Sequence, residues 1–376
     1  MPKTSLRLFL VCLPFLAGLL TACSAPAASP TSTPTVTPTL AATRTPTPTL
    51  TLTPSPTRTP PALPGIFQVS LLNRLDTPHP YLTDTCQTLL DKWSSRNSPP
   101  GTVAMTIMFH SITPKAVTSP DQISEFAFRQ LMNGLHDKGF QAITVDQLLA
   151  FLQTNAKIPG HSVVIIVDDR RTQVYFNVWF RKYWQEWGWP VNNAWISAFG
   201  GGDAYLPENV RLEEEGWVDH QAHGFQHMPS MGPFSSEAYI QQELQKPLQV
   251  FQEYFHKKPV AIIWPGGGFT PHTVDMARQA GYELGFTTNP RGPVMFNWVP
   301  LTDSQDVDPA HPTWISEAGV TDPLMVLPRY WSSDALVHLD EVIQIGQQAA
   351  AYAGQNRSTE LQYYDIVCAS KYGPIP

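Results

Sequence analysis

The chain has 376 residues, a formal net charge of −7 and 37 Pro, of which 11 fall between Ser24 and Pro64 together with 13 Thr, so that 24 of those 41 residues are Pro or Thr. That stretch is too poor in apolar residues to offset chain entropy and is expected to be an extended, unfolded tether, leaving 312 residues beyond Pro64 for a folded core. Residues 1–64 hold four cations and no acid, so the total divides into +4 there and −11 beyond, a balance that repels phosphate and, with no basic stripe, sets nucleic-acid binding aside.

In chain order, residues 1–22 read as an export signal. Lys3 and Arg7 make a basic start, and the apolar run Leu8 to Leu20 is too short to span a membrane comfortably. The run ends in Leu20-Thr21-Ala22-Cys23, which resembles the lipobox of bacterial lipoproteins. The resemblance implies cleavage before Cys23, diacylation of its thiol, and a chain anchored by lipid to the membrane on the extracytoplasmic side. Residues 23–64 would then be the tether, with a reach of roughly 130 Å at about 3.1 Å per residue in a polyproline II conformation. Cys12 lies in the signal, so only Cys86 and Cys368 remain. In an oxidising compartment the pair suggests one disulfide joining the ends of the folded region, with two buried thiols as the alternative.

Residues 65–100 form an N-terminal extension with one expected helix, Asp84 to Trp93, closed off by Ser98-Pro99-Pro100-Gly101. From residue 101 to 336 the pattern alternates between strand and helix. Strands are expected at 103–109, 142–145, 163–167, 193–197, 260–264, 284–287 and 325–328. Several are continuous apolar runs, as strands buried on both faces should be. Helices are expected over Ser124–Lys138 with Phe126 on the apolar side, from Gln147 after an Asp146 cap, over 172–187, 209–215, 235–255 and 273–280, and from Asp334 to about Tyr352. Residues 337–376 would be a C-terminal helix and tail packing on this unit. Repeated strand–helix units predict an α/β fold, a distorted parallel (β/α) barrel of about seven strands, with a doubly wound open sheet as the alternative. No Gly-rich phosphate loop follows the first strand, which counts against nucleotide binding.

In a parallel barrel, active residues stand at the C-terminal ends of strands. Strand 103–109 ends in His110, strand 163–167 in Asp168-Asp169, and strand 260–264 in Pro265-Gly266-Gly267-Gly268. After Trp217-Val218 come His220, His223 and His227. His223 and His227 are spaced to share one face of a helical turn, and two imidazoles with a carboxylate suit Zn²⁺ with a position left open for water. An acidic pair after five apolar residues wants a counter-charge, which a cation would supply. His220 reads as a surface residue, or as a neighbour of the ligands. The aromatic run from Tyr175 to Trp189 reads as core, with sugar stacking as the alternative. Arg329 could orient Asp168 through a bidentate pair or serve as a structural ion pair.

These motifs resemble the polysaccharide deacetylases with NodB homology, carbohydrate esterase family 4. Ile166-Val167-Asp168-Asp169-Arg170 stands for Thr-Phe-Asp-Asp-Gly, and His223-Gly224-Phe225-Gln226-His227-Met228 for His-Ser/Thr-x-x-His-Pro. Met108-Phe109-His110-Ser111-Ile112 resembles the opening of a permuted branch that includes deacetylases of poly-N-acetylglucosamine. The resemblance implies a divalent metal held by Asp169, His223 and His227, Asp168 as general base toward a metal-bound water, and His110 as general acid. Apart from the resemblance, backbone N–H groups near Gly266 and Gly267 could hold the oxyanion, with a tight strand-to-helix turn as the alternative, and Trp264 and Arg329 are further candidate contacts to oxyanion or substrate. The implied activity is hydrolysis of N- or O-acetyl groups on a cell-wall or extracellular polysaccharide. The competing expectation is a catalytically inactive barrel that binds surface glycan. Three departures bear on that choice: Arg170 replaces Gly, so the turn differs or Arg170 is strained; Gly224 removes a hydroxyl; and Trp264-Pro265 stands where the usual branch has Arg-x-Pro.

Overall fold

The computed structural model describes residues 58–198, 204–303 and 317–376. The expected signal, the expected lipidation site at Cys23 and the expected tether as far as residue 57 lie outside the described residues.

The chain begins with β1 (Asp76–His79) and α1 (Thr85–Trp93), the latter capped by the Asp84 side chain. Then come β2 (Val103–Phe109), the short parallel pair β3 (Ser111–Thr113) and β4 (Gln122–Ser124), and α2 (Glu125–Asp137). β5 (Gln141–Ala142) leads to α3 (Val145–Thr154), and β6 (His161–Asp168) to α4 (Gln173–Trp179) and α5 (Arg181–Trp187). β7 (Val191–Trp195), α6 (Tyr205–Glu214), β8 (Val218–Ala222) and α7 (Glu237–Val250) follow. β9 (Ala261–Ile263), α8 (Pro271–Ala280), β10 (Leu284–Phe286) and β11 (Val299–Thr302) precede β12 (Tyr330–Trp331), α9 (Leu339–Tyr363) and α10 (Ala369–Tyr372).

The central sheet has the order β10-β9-β8-β7-β6-β2-β12, every pair parallel, with β5 beside the first half of β6. β2 and β6 pair over seven residues, from Val103 opposite His161 to Phe109 opposite Val167. Both strands are buried on both faces, which is why their sequences run apolar without alternation. Val103, Met105 and Ile107 join Val163, Ile165 and Val167 in one core with α2 and α9, while Ala104, Val164 and Ile166 enter the other. The sheet curls into a barrel, and residues 327–331 bridge its gap. Leu327 pairs with Phe286 of β10, and β12 pairs with Ile107 and Met108 of β2. The expected distorted parallel barrel of about seven strands is the observed fold, with β8 a strand that the pattern did not single out.

The differences from expectation have local causes. Thr144, not Asp146, caps α3, through a reciprocal capping box with Gln147, so the strand before it stops at Ala142. Phe126 is exposed; Phe128, Leu131, Met132 and Leu135 form the buried face of α2. The helix expected over 172–187 breaks at Phe180, and that expected over 235–255 finishes as a π-helical turn from Phe251. The strand expected at 325–328 lies at β12 instead, after a 3-10 turn.

The extension and tail pack on each other. β1 pairs antiparallel with β11, and Cys86 of α1 is disulfide-bonded to Cys368, with Cα atoms 5.3 Å apart. Lys92 and Trp93 of α1 both donate to the Glu360 carboxylate of α9.

Candidate active site

The C-terminal ends of β12, β2, β6 and β8 gather the residues the sequence singled out. Asp168 closes β6 and Asp169 follows it. At Asp169 the backbone takes φ 70°, a left-handed conformation that Asp tolerates better than most side chains. Arg170 is not in that region, so the turn differs and the strain falls one residue earlier. Asn193 of β7 pins the turn by donating its amide to the carbonyls of Val167 (2.8 Å) and Asp169 (3.0 Å). The Arg170 guanidinium lies 4.7 Å over the Trp195 ring and donates to the Ala198 carbonyl.

Asp168 is buried, and Arg329 grips it bidentately, Nη1 to Oδ1 at 2.7 Å and Nη2 to Oδ2 at 3.0 Å. Nε of the same guanidinium donates to the Thr287 carbonyl, which fixes the fork. Burial alone would push the Asp168 carboxyl up. The Arg329 charge, with lesser help from His110 and His223, outweighs burial and holds it well below the usual carboxylate range. His110 Nε2 stands 3.5 Å from Asp168 Oδ2, and its ring stacks on Trp331 of β12 (centroids 5.7 Å, planes 18° apart).

Asp169, His223 and His227 form a second group. One Asp169 oxygen lies 3.9 Å from His223 Nε2 and 3.8 Å from His227 Nε2, beyond hydrogen-bond reach of either. The other accepts from Arg171 at 3.2 Å. The three ligand atoms lie within 4.8 Å of one another, and no other cluster of this kind occurs among the described residues. His223 Nδ1 is 2.8 Å from the Ile263 carbonyl, so it carries the hydrogen and Nε2 keeps its lone pair toward the group. Burial pushes His223 down to about 4, only partly offset by Asp168, so the ring is neutral at pH 7. One carboxylate oxygen and two imidazole lone pairs, converging without bonding each other, fit a divalent cation.

The two histidines do not share a helical turn. His223 directly follows β8, and the chain then loops with Gly224 at φ 72° and His227 at φ 75°. Their rings still converge, with centroids 4.6 Å apart. His220 is neither exposed nor at the site; it is fully buried between Glu213 and Asn209. Trp264 is buried and donates to the Met325 carbonyl, so it offers no face to a substrate. Gly266 reaches the surface, whereas Gly267 is buried against Thr288. Of the aromatic run, Tyr183 and Trp189 are core.

A groove of about 900 Å³ is lined by His110, Trp331, Gly266 and the loop from Met228 to Ser236, with Gly266 against Met228 and Ser230 of that loop; of the site residues named above, His110 faces it, while Asp168, Asp169, His223 and His227 are not in its lining. A second cavity of about 310 Å³, near Gly101 before β2, holds none of these residues. Sequence reasoning missed Arg171, Asn193 and Trp331. Arg171 was legible as the counter-charge an acidic pair needs. Two Asn inside a buried strand signalled unmet polar partners, but not which carbonyls they bind. Trp331 had no signal, because only the closure of β12 on β2 brings it over His110.

An all-parallel barrel whose C-terminal rim gathers two aspartates and three histidines has the layout of a hydrolytic site. Residues 159–285 match the family model for polysaccharide deacetylase. YxkH of Bacillus subtilis (strain 168), which carries the name of a polysaccharide deacetylase, is 25% identical over 187 residues, 49% of this chain and 64% of its own length. Among solved structures, the Streptococcus pyogenes deacetylase PplD in complex with acetate aligns with a TM-score of 0.49 at 18% identity, over 64% of this chain and 98% of its own. IcaB from Ammonifex degensii aligns with a TM-score of 0.45 at 16% identity, over 66% and 97%. Residues 159–285 thus carry a polysaccharide deacetylase-like domain, and the chain is similar to that family over this span.

Proposed function

We propose that the protein is a metal-dependent deacetylase that hydrolyses N- or O-acetyl groups on a cell-wall or extracellular polysaccharide. The observation that carries this reading is the pairing of a three-donor cluster with a buried carboxylate, Asp168, and with His110, an imidazole that lines an open groove. Asp169, His223 and His227 would hold the ion, for which the donor set favours Zn²⁺. Bound there, it would supply Lewis acidity and raise the acidity of a water.

The chain's own residues divide the remaining work. His223 is presented neutral and in the tautomer that leaves Nε2 free. Asp168 stays ionised because Arg329 outweighs its burial, and it serves as general base. The fork lowers its basicity, so it accepts a proton best from an acidified donor. His110, stacked on Trp331 and facing the groove, is placed to protonate a departing amine or alcohol. Gly266 at the groove wall is a candidate oxyanion contact. The order His110, Asp168, His223 along the chain supports the permuted branch. The lipobox and tether support a protein held at the extracytoplasmic face through a lipid on Cys23.

The test is acetate release by the purified, zinc-loaded chain from acetylated chito-oligosaccharides and acetylxylan, with bound metal quantified. Wild type should bind one ion and release acetate, and Asp168→Asn and His223→Ala should lose at least a hundredfold. A zinc-loaded wild type that releases none from any acetylated glycan, yet retains them on a column, would replace this reading with the inactive glycan-binding barrel.

A further inference from the structure

The loop between the two candidate ligands His223 and His227 belongs to no regular element, yet two of its carbonyls and three successive amides are hydrogen-bonded. Its carbonyls at Gly224 and Phe225 accept from the backbone amides of Ser197 (3.1 Å) and Ala198 (2.7 Å). Its three successive amides converge on one side chain, Glu243 of α7. Glu243 Oε2 accepts from Phe225 N at 2.8 Å and His227 N at 3.1 Å, and Oε1 accepts from Gln226 N at 2.8 Å. Glu243 is fully buried. Successive N–H groups in such a loop form a concavity suited to an anion, and here the protein fills it from a neighbouring helix.

We propose that Glu243 is a positioning residue for the metal centre, holding the loop that carries His227 in its ligating conformation; this rests on the metal reading above. Two features separate the role from ordinary packing. First, His227 sits at φ 75°, an unfavourable backbone state for a non-glycine residue, and its own amide is one of the three that Glu243 binds. Releasing that bond frees the backbone to relax and carries the imidazole away from Asp169 and His223. Second, Gly224 is matched to the same carboxylate. A Cβ at Gly224 would lie 2.5 Å from Glu243 Oε2 and 2.8 Å from Pro265 Cγ, on a backbone with φ 72° that already disfavours one. The loop therefore needs no hydroxyl at position 224. Support arrives from α7, and glycine leaves room for it. The departure at Gly224 then belongs to an alternative support of the site rather than to its loss.

The experiment measures Zn²⁺ affinity of the metal-free full-length protein by competition with a chromophoric chelator, beside melting temperature. Glu243→Gln sets an amide donor against one loop N–H, and Gly224→Ala attacks the contact from the loop side. Each should weaken Zn²⁺ binding about 10- to 100-fold, the range typical of groups that orient metal ligands. Glu360→Gln, which disturbs a buried carboxylate bound to Lys92 and Trp93, should lower melting temperature and leave zinc affinity unchanged. Unchanged zinc affinity in a folded Glu243→Gln overturns the proposal, whatever its melting temperature. If both variants fail to fold, amide hydrogen exchange of metal-free wild type decides. Slow exchange at Phe225, Gln226 and His227 supports the clamp, and exchange as fast as at exposed loops overturns it. A wild type that takes up no zinc defeats the metal reading itself, and the exchange data then still show whether Glu243 holds the loop.

Discussion

Arg329 and Asp168, 161 residues apart in sequence, meet in a buried two-pronged ion pair at 2.7 and 3.0 Å. Arg329 immediately precedes β12, whose pairing with β2 completes the barrel. The strand that lies last in the chain order of the sheet therefore brings the counter-charge to the first acidic residue of the site, and the segment that bridges the barrel also sets the charge balance of the site.

Arg329→Met should leave Asp168 buried without its partner. Removing one member of a buried pair costs about 3–5 kcal/mol, so urea denaturation should show a loss in that range. Asp168→Asn combined with Arg329→Met removes both charges and should recover most of the stability while remaining without deacetylase activity. Arg329→Lys keeps a charge but not the fork, and should lose less stability than Arg329→Met. Equal stabilities for the single and double Met variants would show that the pair is not the source of the cost.

Acid should expose the same pair. The folded-state pKa of Asp168 is depressed, so its contribution is present above the unfolded carboxylate value of about 3.9 and is lost as pH falls through the folded value. The stability difference between wild type and Asp168→Asn, both metal-free, should be constant from pH 7 to about pH 5. It should narrow steadily between about pH 4 and pH 2. Urea midpoints at each pH measure it; a gap that widens toward acid contradicts the assignment.

The disulfide should matter for stability and not for chemistry. Cys86 and Cys368 are 282 residues apart in sequence, and both belong to the satellite cluster of α1 and the C-terminal tail. Loss of a native bridge typically costs about 2–5 kcal/mol. Mild reduction should lower the melting temperature while kcat per folded molecule stays within a factor of about two, because no catalytic candidate touches this cluster. Thiol titration of denatured, unreduced residues 65–376 should find neither cysteine free.

The parts of the fold written in short-range pattern were legible. β2 and β6 are apolar runs because both faces are buried, and their ends delivered His110, Asp168 and Asp169 to the rim. His223 and His227 were found on a mistaken ground. Their spacing suggested a helical turn, whereas a loop with two left-handed residues brings the rings together. Glu243 was illegible. An acidic residue on a surface-type helix reads as solvated until α7 packs on the loop. His220 failed for the mirror reason, since its partners Glu213 and Asn209 lie on α6, and pairing with them keeps a polar ring inside. Local periodicity carries elements, while side-chain partners across elements exist only after packing.

Arg170 tests a departure from the resembled motif. Its guanidinium stacks on Trp195 and bonds the Ala198 carbonyl, and the unfavourable φ belongs to Asp169 rather than Arg170. Arg170→Ala should cost about 1–2 kcal/mol, from contacts that include cation–π approaches to Trp195 and Tyr205 and the hydrogen bond to Ala198. Zinc affinity should hold within about threefold, because the ligand loop keeps its amide bonds to Glu243 and Arg170 touches it only through Ala198. A collapse of zinc binding would show that Arg170 shapes the turn after all.

Trp331 stacks on the ring of His110 and lines the groove, so it restrains the orientation of the candidate general acid. Trp331→Ala leaves His110 able to rotate, and misplacement of a reacting group by about 1 Å can cost on the order of a hundredfold. The variant should therefore lose 10- to 100-fold in kcat with metal content unchanged. Trp331→Phe retains an aromatic face and should recover most of that loss. Fast-leaving acetate esters, which need little protonation of the departing oxygen, should be hydrolysed by Trp331→Ala at nearly the wild-type rate. If the variant is equally impaired on activated and unactivated substrates, Trp331 acts through substrate binding in the groove and not through His110.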